Sequence, residues 1–246
     1  MGRRADRIER FDLQPGQKIN GKYRVIRYIG GGLQGEVYEV TELQTRIRRA
    51  AKLFYPQQNL RNQAARTYAQ KLDRLRNCPI VIQYHHAERI EVQGIMVTCL
   101  LSELVDGILL ADFVRARPGR RLPPFKALHL LYSLVCGLEQ IHRLHDYHGD
   151  LHAWNILVRP RGIFFDVKVV DFYNLGKPTA THRRDDIVDL IHLLHEMTGG
   201  RRCYARQPAA IKAICKGLRR DLIRKTFPTV SHLRRHLEQS ADFDAV

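Results

Sequence analysis

The stretch HGDLHAWNILV, residues 148 to 158, sets a carboxylate, Asp150, and a carboxamide, Asn155, five positions apart and directly ahead of an apolar run. On a loop, Asp150 could accept a proton from an attacking hydroxyl. The apolar run continues as NILVRPRGIFFDVKVVDF, which reads as a β-hairpin turning near Pro160 to Gly162. Antiparallel pairing would bring the two ends of that hairpin together and set Asn155 beside Asp171. Two oxygen donors at one end of a hairpin suit Mg²⁺, a hard cation that prefers carboxylate, carbonyl and phosphate oxygens.

Two further features lie upstream. GGGLQGEV puts Gly30, Gly32, Gly35 and Val37 in a GxGxxGxV arrangement between two predicted strands. Glycines there let backbone N–H groups approach phosphates without a Cβ in the way. Many glycine-rich hairpins bind nothing, and a strand after the glycines disfavours a dinucleotide fold, which needs a helix there. Lys52, in AAKLF, falls in a strand that otherwise reads as buried. A buried lysine is costly without a partner. It either snorkels from an edge strand or, taken with the glycines about twenty residues earlier, holds a phosphate.

Elements must carry these residues. KYRVIRYIGGGLQGEVYEV reads as strand, turn, strand, and RIEVQGIMVTCLLSELV as a hairpin turning at Gln93-Gly94. Residues 59 to 76 read as a helix with Leu60, Ala64, Tyr68, Leu72 and Leu75 on one face. After Gly107 the pattern turns helical: Leu128, Leu131, Val135 and Leu138 recur at helical spacing, and DIVDLIHLLHEMTGG is apolar nearly all round, with Gly199 as its stop. Residues 1 to 18 read as a loose polar lead-in.

The 246 residues, 44% of them hydrophobic, suffice for one large domain or two lobes. With 41 Lys+Arg against 25 Asp+Glu the formal charge is +16. Such a balance suits polyanionic partners such as nucleic acid, acidic lipid or an acidic protein face, but a solvated arginine-rich surface is the simpler and preferred reading. The basic residues are scattered, and no DNA- or RNA-reading motif collects them, so a nucleic-acid partner is not expected. Five cysteines without a CxxC fit reduced thiols in a cytoplasmic protein. The charged start is no signal peptide, and no apolar run reaches membrane-spanning length. His142, His145 and His148, and again His192 and His195, recur at a spacing of three. They read as core or capping side chains, since no acidic or thiol ligand completes either set for zinc.

Glycine turn, strand lysine, Asp-x4-Asn and a strand-end Asp, in that order, resemble the protein kinases, in particular the Ser/Thr kinases of bacteria that share the eukaryotic pattern. The resemblance runs from about residue 20 to 240. It implies an α+β, two-lobed protein kinase-like fold: a lead-in over 1–20, a β-rich lobe with one main helix over 21–105, and a helical lobe over 106–246. It implies ATP and Mg²⁺ as cofactors, and a serine or threonine of an unidentified protein as the acceptor. Gly30, Gly32 and Gly35 look like the loop that covers ATP, and Lys52 like the lysine that holds its phosphates. Glu103 and Val105, in SELVDG, resemble the hinge that meets adenine, and Val37, Ala50 and Leu157 complete the nucleotide contacts. Asp150 looks like the catalytic base, with Asn155 and Asp171 as metal ligands. Asp186 resembles the aspartate that braces the catalytic loop from a buried helix, and Arg224 stands in the arginine place of the closing helices.

The pattern is broken in four places. Fourteen residues separate Asp171 from Asp186, with no Ala-Pro-Glu element. In the family that interval helps to dock peptide substrates. Gly149 stands where many members keep an arginine. No glutamate lies between Lys52 and Glu88 to pair with the lysine, and Tyr68 falls near the glutamate's place. His152 stands where Ser/Thr kinases keep a lysine near the transferred phosphate, which makes it a candidate catalytic residue and is similar to small-molecule kinases. A small-molecule or glycolipid kinase, or a nucleotide-binding scaffold, is therefore the alternative.

Overall fold

The alternation of apolar and polar residues over the first hundred positions produces strands. In the computed structural model, which describes residues 7–162 and 164–239, these are β1 (Lys18–Ile19), β2 (Tyr23–Gly32), β3 (Gly35–Glu42), β4 (Arg48–Phe54), β5 (Tyr84–Val92) and β6 (Ile95–Glu103). They form one antiparallel sheet in the order β1-β2-β3-β4-β6-β5. Gln93 and Gly94, at φ 55° and 74°, make the tight turn between β5 and β6. One helix, α1 (Gln63–Arg74), joins this first unit, which runs to Asn77 and resumes over Ile82–Val105.

The sheet presents two faces. On one, Tyr23, Val25, Tyr38, Val40, Ala51, Leu53, Val97, Cys99 and Leu101 form a buried cluster with Ile8, Phe11 and Leu13. Residues 7 to 14 are thus no loose lead-in but a strap. Gln57 exchanges two hydrogen bonds with the Ile8 backbone, the Gln93 amide donates to the Arg10 carbonyl at 3.0 Å, and Phe11 stacks on Tyr55 at 5.1 Å. Buried Glu36 gathers the strap: its carboxylate accepts from the Phe11 N–H and from the hydroxyls of Tyr38 and Tyr55. The apolar positions Ile8, Phe11 and Leu13 are sparse in a polar stretch, so composition hides them. Residues 1–6 lie outside the described residues.

α1 is shorter than its apolar pattern. Arg61 and Asn62 take left-handed φ of 52° and 60°, so the helix begins at Gln63 and Leu60 is left 66% exposed. Tyr68, Leu72 and Leu75 are buried as the spacing requires.

The second unit comprises Cys78–Val81 and the chain from Asp106. It holds β7 (Ile108–Leu109), α2 (Leu110–Arg115), α3 (Pro124–Arg143), β8 (Ile156–Arg161), β9 (Phe164–Val169), α4 (Ala180–Met197), α5 (Arg201–Tyr204), α6 (Ala209–Cys215), α7 (Arg220–Thr226) and α8 (Val230–Gln239). Strands β7, β8 and β9 form a small sheet in that order. Pro160 is paired with Phe165 inside the hairpin, so the turn starts at Gly162, later than the sequence suggests. Helix α3 carries Leu128, Leu131, Val135 and Leu138 into the core, and Pro124 opens it where its missing N–H costs nothing. Any side chain at Gly137 would strike Ile80, which crosses α3 there and accepts the Val169 N–H at 2.7 Å. Helix α4 begins at Ala180, capped by the Thr179 hydroxyl, and its residues Ile187, Leu190, Ile191 and Leu194 are buried. The chain thus has the α+β, two-lobed architecture, one lobe strand-rich and one helical. Among the described residues no helix is long and apolar enough to cross a membrane.

The strap makes a measurable claim. Phe11→Ala should lower the stability of the folded chain by about 3 kcal/mol, read as a lower urea midpoint at unchanged slope. A loss under about 0.5 kcal/mol, typical of a surface site, would show the strap to be dispensable.

Candidate active site

In the first unit the strand register brings candidate residues into one row. Gly30 pairs with Val37, Val37 with Lys52, and Lys52 with Leu100. Directly opposed residues share a face, as do alternate residues of one strand. Val37, Ala50 and Lys52 therefore lie on one side of the sheet, opposite the strap. The turn between β2 and β3 is Leu33-Gln34. At Gly35 a Cβ would collide with the Leu53 carbonyl oxygen, so glycine is demanded by packing. At Gly30 and Gly32 a Cβ would meet nothing within 4 Å among the described residues. Packing does not ask for glycine there; a bare backbone edge that a phosphate could approach is the chemistry left.

Lys52 is buried in the middle of the sheet, between β3 and β6, not on an edge. Its ammonium stands 4.5 Å from the centre of the Tyr68 ring and 5.4 Å from that of Phe54. Tyr68 thus meets the lysine from the helix position where a glutamate would be expected. The ring's negative face attracts the cation yet offers no carboxylate. Asp73 is exposed and bonded to Arg76, on the far side of α1. Glu103 and Val105 are half-buried at the end of β6. The Glu103 N–H is taken by the Gln83 carbonyl at 2.9 Å, and the Glu103 carbonyl lies 3.5 Å from the Ser102 hydroxyl.

In the second unit the polar stretch is organised by one buried carboxylate. Asp186, fully buried on α4, accepts the N–H of His148 and of Gly149, each at 2.8 Å, and the His142 ring nitrogen at 3.0 Å. Gly149 has φ 87° and sits against Tyr147 and the Tyr173 carbonyl, where a Cβ would not fit. The His148 ring is buried and bonds the Val170 carbonyl at 2.9 Å, while its other nitrogen accepts the Asp150 N–H. These histidines are braces, and their sequence signal was the run of three at spacing three. Tyr147 was not singled out beforehand. Its hydroxyl accepts the Leu175 N–H at 2.7 Å and donates to the Gly176 carbonyl at 3.0 Å, tying down the short segment after Asp171.

Asp150, with its side chain 49% exposed, leads this loop. Asn155 is buried, and its amide nitrogen donates to the Asp150 carbonyl at 2.9 Å and approaches the Asp150 carboxylate at 3.3 Å. With the nitrogen so engaged, Oδ1 is the atom left for a cation. The Val170 N–H donates to the Asn155 carbonyl at 2.9 Å, so the backbone of Asp171 follows directly beside Asn155. Asp171 is half-buried with φ 56°, a conformation that aspartate tolerates better than most residues. An amide oxygen and a carboxylate at the mouth of one hairpin are donors that fit Mg²⁺. His152 lies within the same cluster, its Nε2 3.4 Å from the Asp150 carboxylate and 3.1 Å from the Asn155 amide. Leu157, on β8, is half-buried.

A third aspartate on α4, after Asp185 and Asp186, lies in this region. Asp189, one turn after Asp186 and half-buried, has its carboxyl pushed up to about 7, by burial first and then by Asp186, with Asp185 and Asp150 adding and Arg220 opposing.

The family described as protein kinase domain matches residues 23–188. The chain is 27% identical over 191 residues to the serine/threonine-protein kinase PrkC of Bacillus subtilis, covering 75% of this chain and 28% of that protein. It is 30% identical over 158 residues to the serine/threonine-protein kinase PknA of Corynebacterium glutamicum, covering 63% of this chain and 32% of the relative. With pkn2 of Myxococcus xanthus, also a serine/threonine-protein kinase, it shares 29% over 156 residues, 63% of this chain and 18% of that one. The chain thus spans a third or less of these relatives' length. The closing helices, α5 to α8, lie beyond the family match.

Asp189 supplies a pH test. Its folded pKa stands above the unfolded value near 3.8. The folded chain therefore holds this proton more tightly, and stability falls as pH rises from about 4 through about 7. Asp189→Asn removes that loss. The variant should melt above the parent at pH 8, and the difference should shrink towards zero near pH 4. A difference independent of pH would refute the assignment.

Proposed function

This chain is a member of the protein kinase domain family, and from that premise we propose that it transfers the γ-phosphoryl group of ATP to a hydroxyl, with a serine or threonine of a protein as acceptor. The single observation that carries the reading is the braced loop of the second unit: an exposed Asp150, held beside an Asn155 whose free oxygen and neighbour Asp171 offer hard donors. The acceptor is supported by the serine/threonine kinases among the relatives.

In this reading residues 21–105 are the nucleotide-binding lobe and residues 106–246 the catalytic one. The bare edge at Gly30 and Gly32 and the Lys52 ammonium hold the phosphates. Val37, Ala50 and Leu157 contact the nucleoside, and Glu103 and Val105 offer backbone groups to the base. Asp150 orients the acceptor hydroxyl and takes its proton. The acceptor oxygen bonds to the γ-phosphorus as the bond from that phosphorus to the β,γ-bridging oxygen breaks, and ADP departs. Asn155 and Asp171 would hold Mg²⁺, which would supply neutralising charge for the transfer. His152 lies beside Asp150 and shares the place where the transferred group is handled.

A specific observation favours a second reading. The ring of Tyr68, where a carboxylate would anchor the lysine, suits a module that binds nucleotide without turning it over. Two measurements separate the readings. Asp150→Ala should lose at least ~100-fold in phosphoryl transfer, about 2.7 kcal/mol, and retained turnover would refute the assignment. Mg·ATP at about a hundred times its Kd should add ~2.7 kcal/mol of stability and raise the melting temperature by roughly 5 to 11 °C at 2 to 4 °C per kcal/mol. A shift without label transfer from ATP supports the scaffold, and no shift removes both readings. Label confined to the small-molecule fraction of an extract would move the acceptor to a metabolite.

A further inference from the structure

Two stretches of the second unit carry basic residues and no acid at all. From Phe113 to Leu138 there are Arg115, Arg117, Arg120, Arg121 and Lys126 without a single Asp or Glu. From Met197 to Arg220 there are seven more, again without one. The fold joins the two. The Leu122 N–H donates to the Met197 carbonyl at 2.7 Å, and Arg121 donates to the Cys203 sulfur at 3.0 Å. This sets Arg120 and Arg121 against the segment that bears Arg201 and Arg202, and all four are exposed.

The near end of this strip reaches the catalytic loop. The Ala111 N–H of α2 donates to the Ala153 carbonyl at 3.0 Å, and the Arg115 guanidinium stands 5.1 Å from the Trp154 ring centre. Trp154, 51% exposed, immediately precedes Asn155. Arg117 lies next along, 4.2 Å over the Phe113 ring. Among the described residues Arg115 pairs with Asp112, and no carboxylate is paired with Arg117, Arg120, Arg201 or Arg202. Like charges set side by side repel, so a face of this kind is stabilised when an anion covers it. Arginine forks are built for paired carboxylate contacts.

We propose that this arginine strip, from Arg115 beside the catalytic loop to Arg201 and Arg202, docks an acidic segment of the protein substrate and so selects hydroxyls flanked by Asp and Glu. The inference rests on the phosphotransfer reading above and adds the substrate class. An acidic protein is favoured over other polyanions by continuity: the strip ends at the loop where the acceptor hydroxyl must meet Asp150. A substrate is thereby held through charge outside the loop, with Trp154 as an apolar platform next to the reacting group.

The test uses the full chain and two fluorescein-labelled peptides, each with one serine, one followed by a run of glutamates and the other by glutamines. Binding is read by anisotropy without ATP, so it does not depend on turnover. The acidic peptide should bind at least about tenfold tighter, and the preference should fade as ionic strength rises from about 0.05 to about 0.3 M. Arg117→Ser, Arg120→Ser and Arg201→Ser combined should weaken it about tenfold, and the same three as Arg→Lys should restore most of the loss. With Mg·ATP, the triple serine variant should raise KM for the acidic peptide by the same factor and leave kcat within about twofold. Equal binding of the two peptides, or a triple variant that binds the acidic one undiminished, overturns the proposal. So does a homopolymeric RNA or an anionic phospholipid vesicle that needs these arginines when the acidic peptide does not. If the acidic peptide binds through the strip but neither peptide is phosphorylated, the docking surface stands and the phosphotransfer reading falls.

Discussion

A carboxylate with no exposure to water must be met by donors, and Asp186 is met by three, two of them backbone N–H groups of the loop it organises. Losing any of them would leave a charge buried and short of partners, which costs several kcal/mol. The requirement works in both directions. Helix α4 cannot leave the loop, and the loop cannot relax away from α4. Gly149 is the residue that lets the chain pass this point, since φ 87° and the crowding by Tyr147 and Tyr173 exclude a side chain. The position that lacks an arginine therefore has its own steric reason to be glycine. His148 passes the constraint on to Val170, one residue before Asp171, so that both candidate metal ligands are set by a frame which never touches substrate.

The first unit solves a similar problem with less charge. Lys52 is buried at the centre of a sheet, and α1 presents to it a tyrosine. Cation–π attraction is weaker and less directional than a buried ion pair, about 2 kcal/mol when desolvated. It holds the ammonium near a defined place on the helix-facing side of the sheet. The opposite face of the sheet is sealed by the strap, whose buried Glu36 takes three donors one residue after Gly35. The glycine turn is thus pinned at its base.

Much of this was legible in the residues because the relevant signals are local. Period-two alternation gave the β2–β3 and β5–β6 hairpins, and the Gln93-Gly94 turn lies where its two residues take positive φ. The hairpin pattern from Ile156 to Val169 alone is enough to set Asn155 next to Asp171 in the chain's path. What escaped depended on distant partners. Ile8, Phe11 and Leu13 look like stray apolar residues in a polar leader until Tyr38 and Val40 are known to need a cover. Leu60 fits the helical wheel, but the left-handed pair Arg61-Asn62 breaks the helix before it, and nothing in those two residue types announces that. Spacing puts Tyr68 on the apolar face and the family resemblance puts it near the glutamate's place; that its ring meets Lys52 depends on how α1 packs against the sheet.

The short interval from Asp171 to Asp186 then bears on substrate choice. Its residues are taken up by local closure: Leu175 and Gly176 bind the Tyr147 hydroxyl, Thr179 caps α4, and Asp185 engages Arg220 and Arg224. Arg224 thus finds its carboxylate on α4 itself. A segment so closed offers little backbone on which a peptide could lie. Selection of the acceptor must come from surfaces that flank the loop, and α2 is bonded directly to it through Ala111 and Ala153. The acid-free run that begins in α2 starts beside that loop, with Arg115 over the Trp154 ring. Electrostatic docking also demands less geometric fit than a shaped platform, since charges act over about 8 Å at physiological salt, which suits a kinase domain with so little polypeptide to shape one.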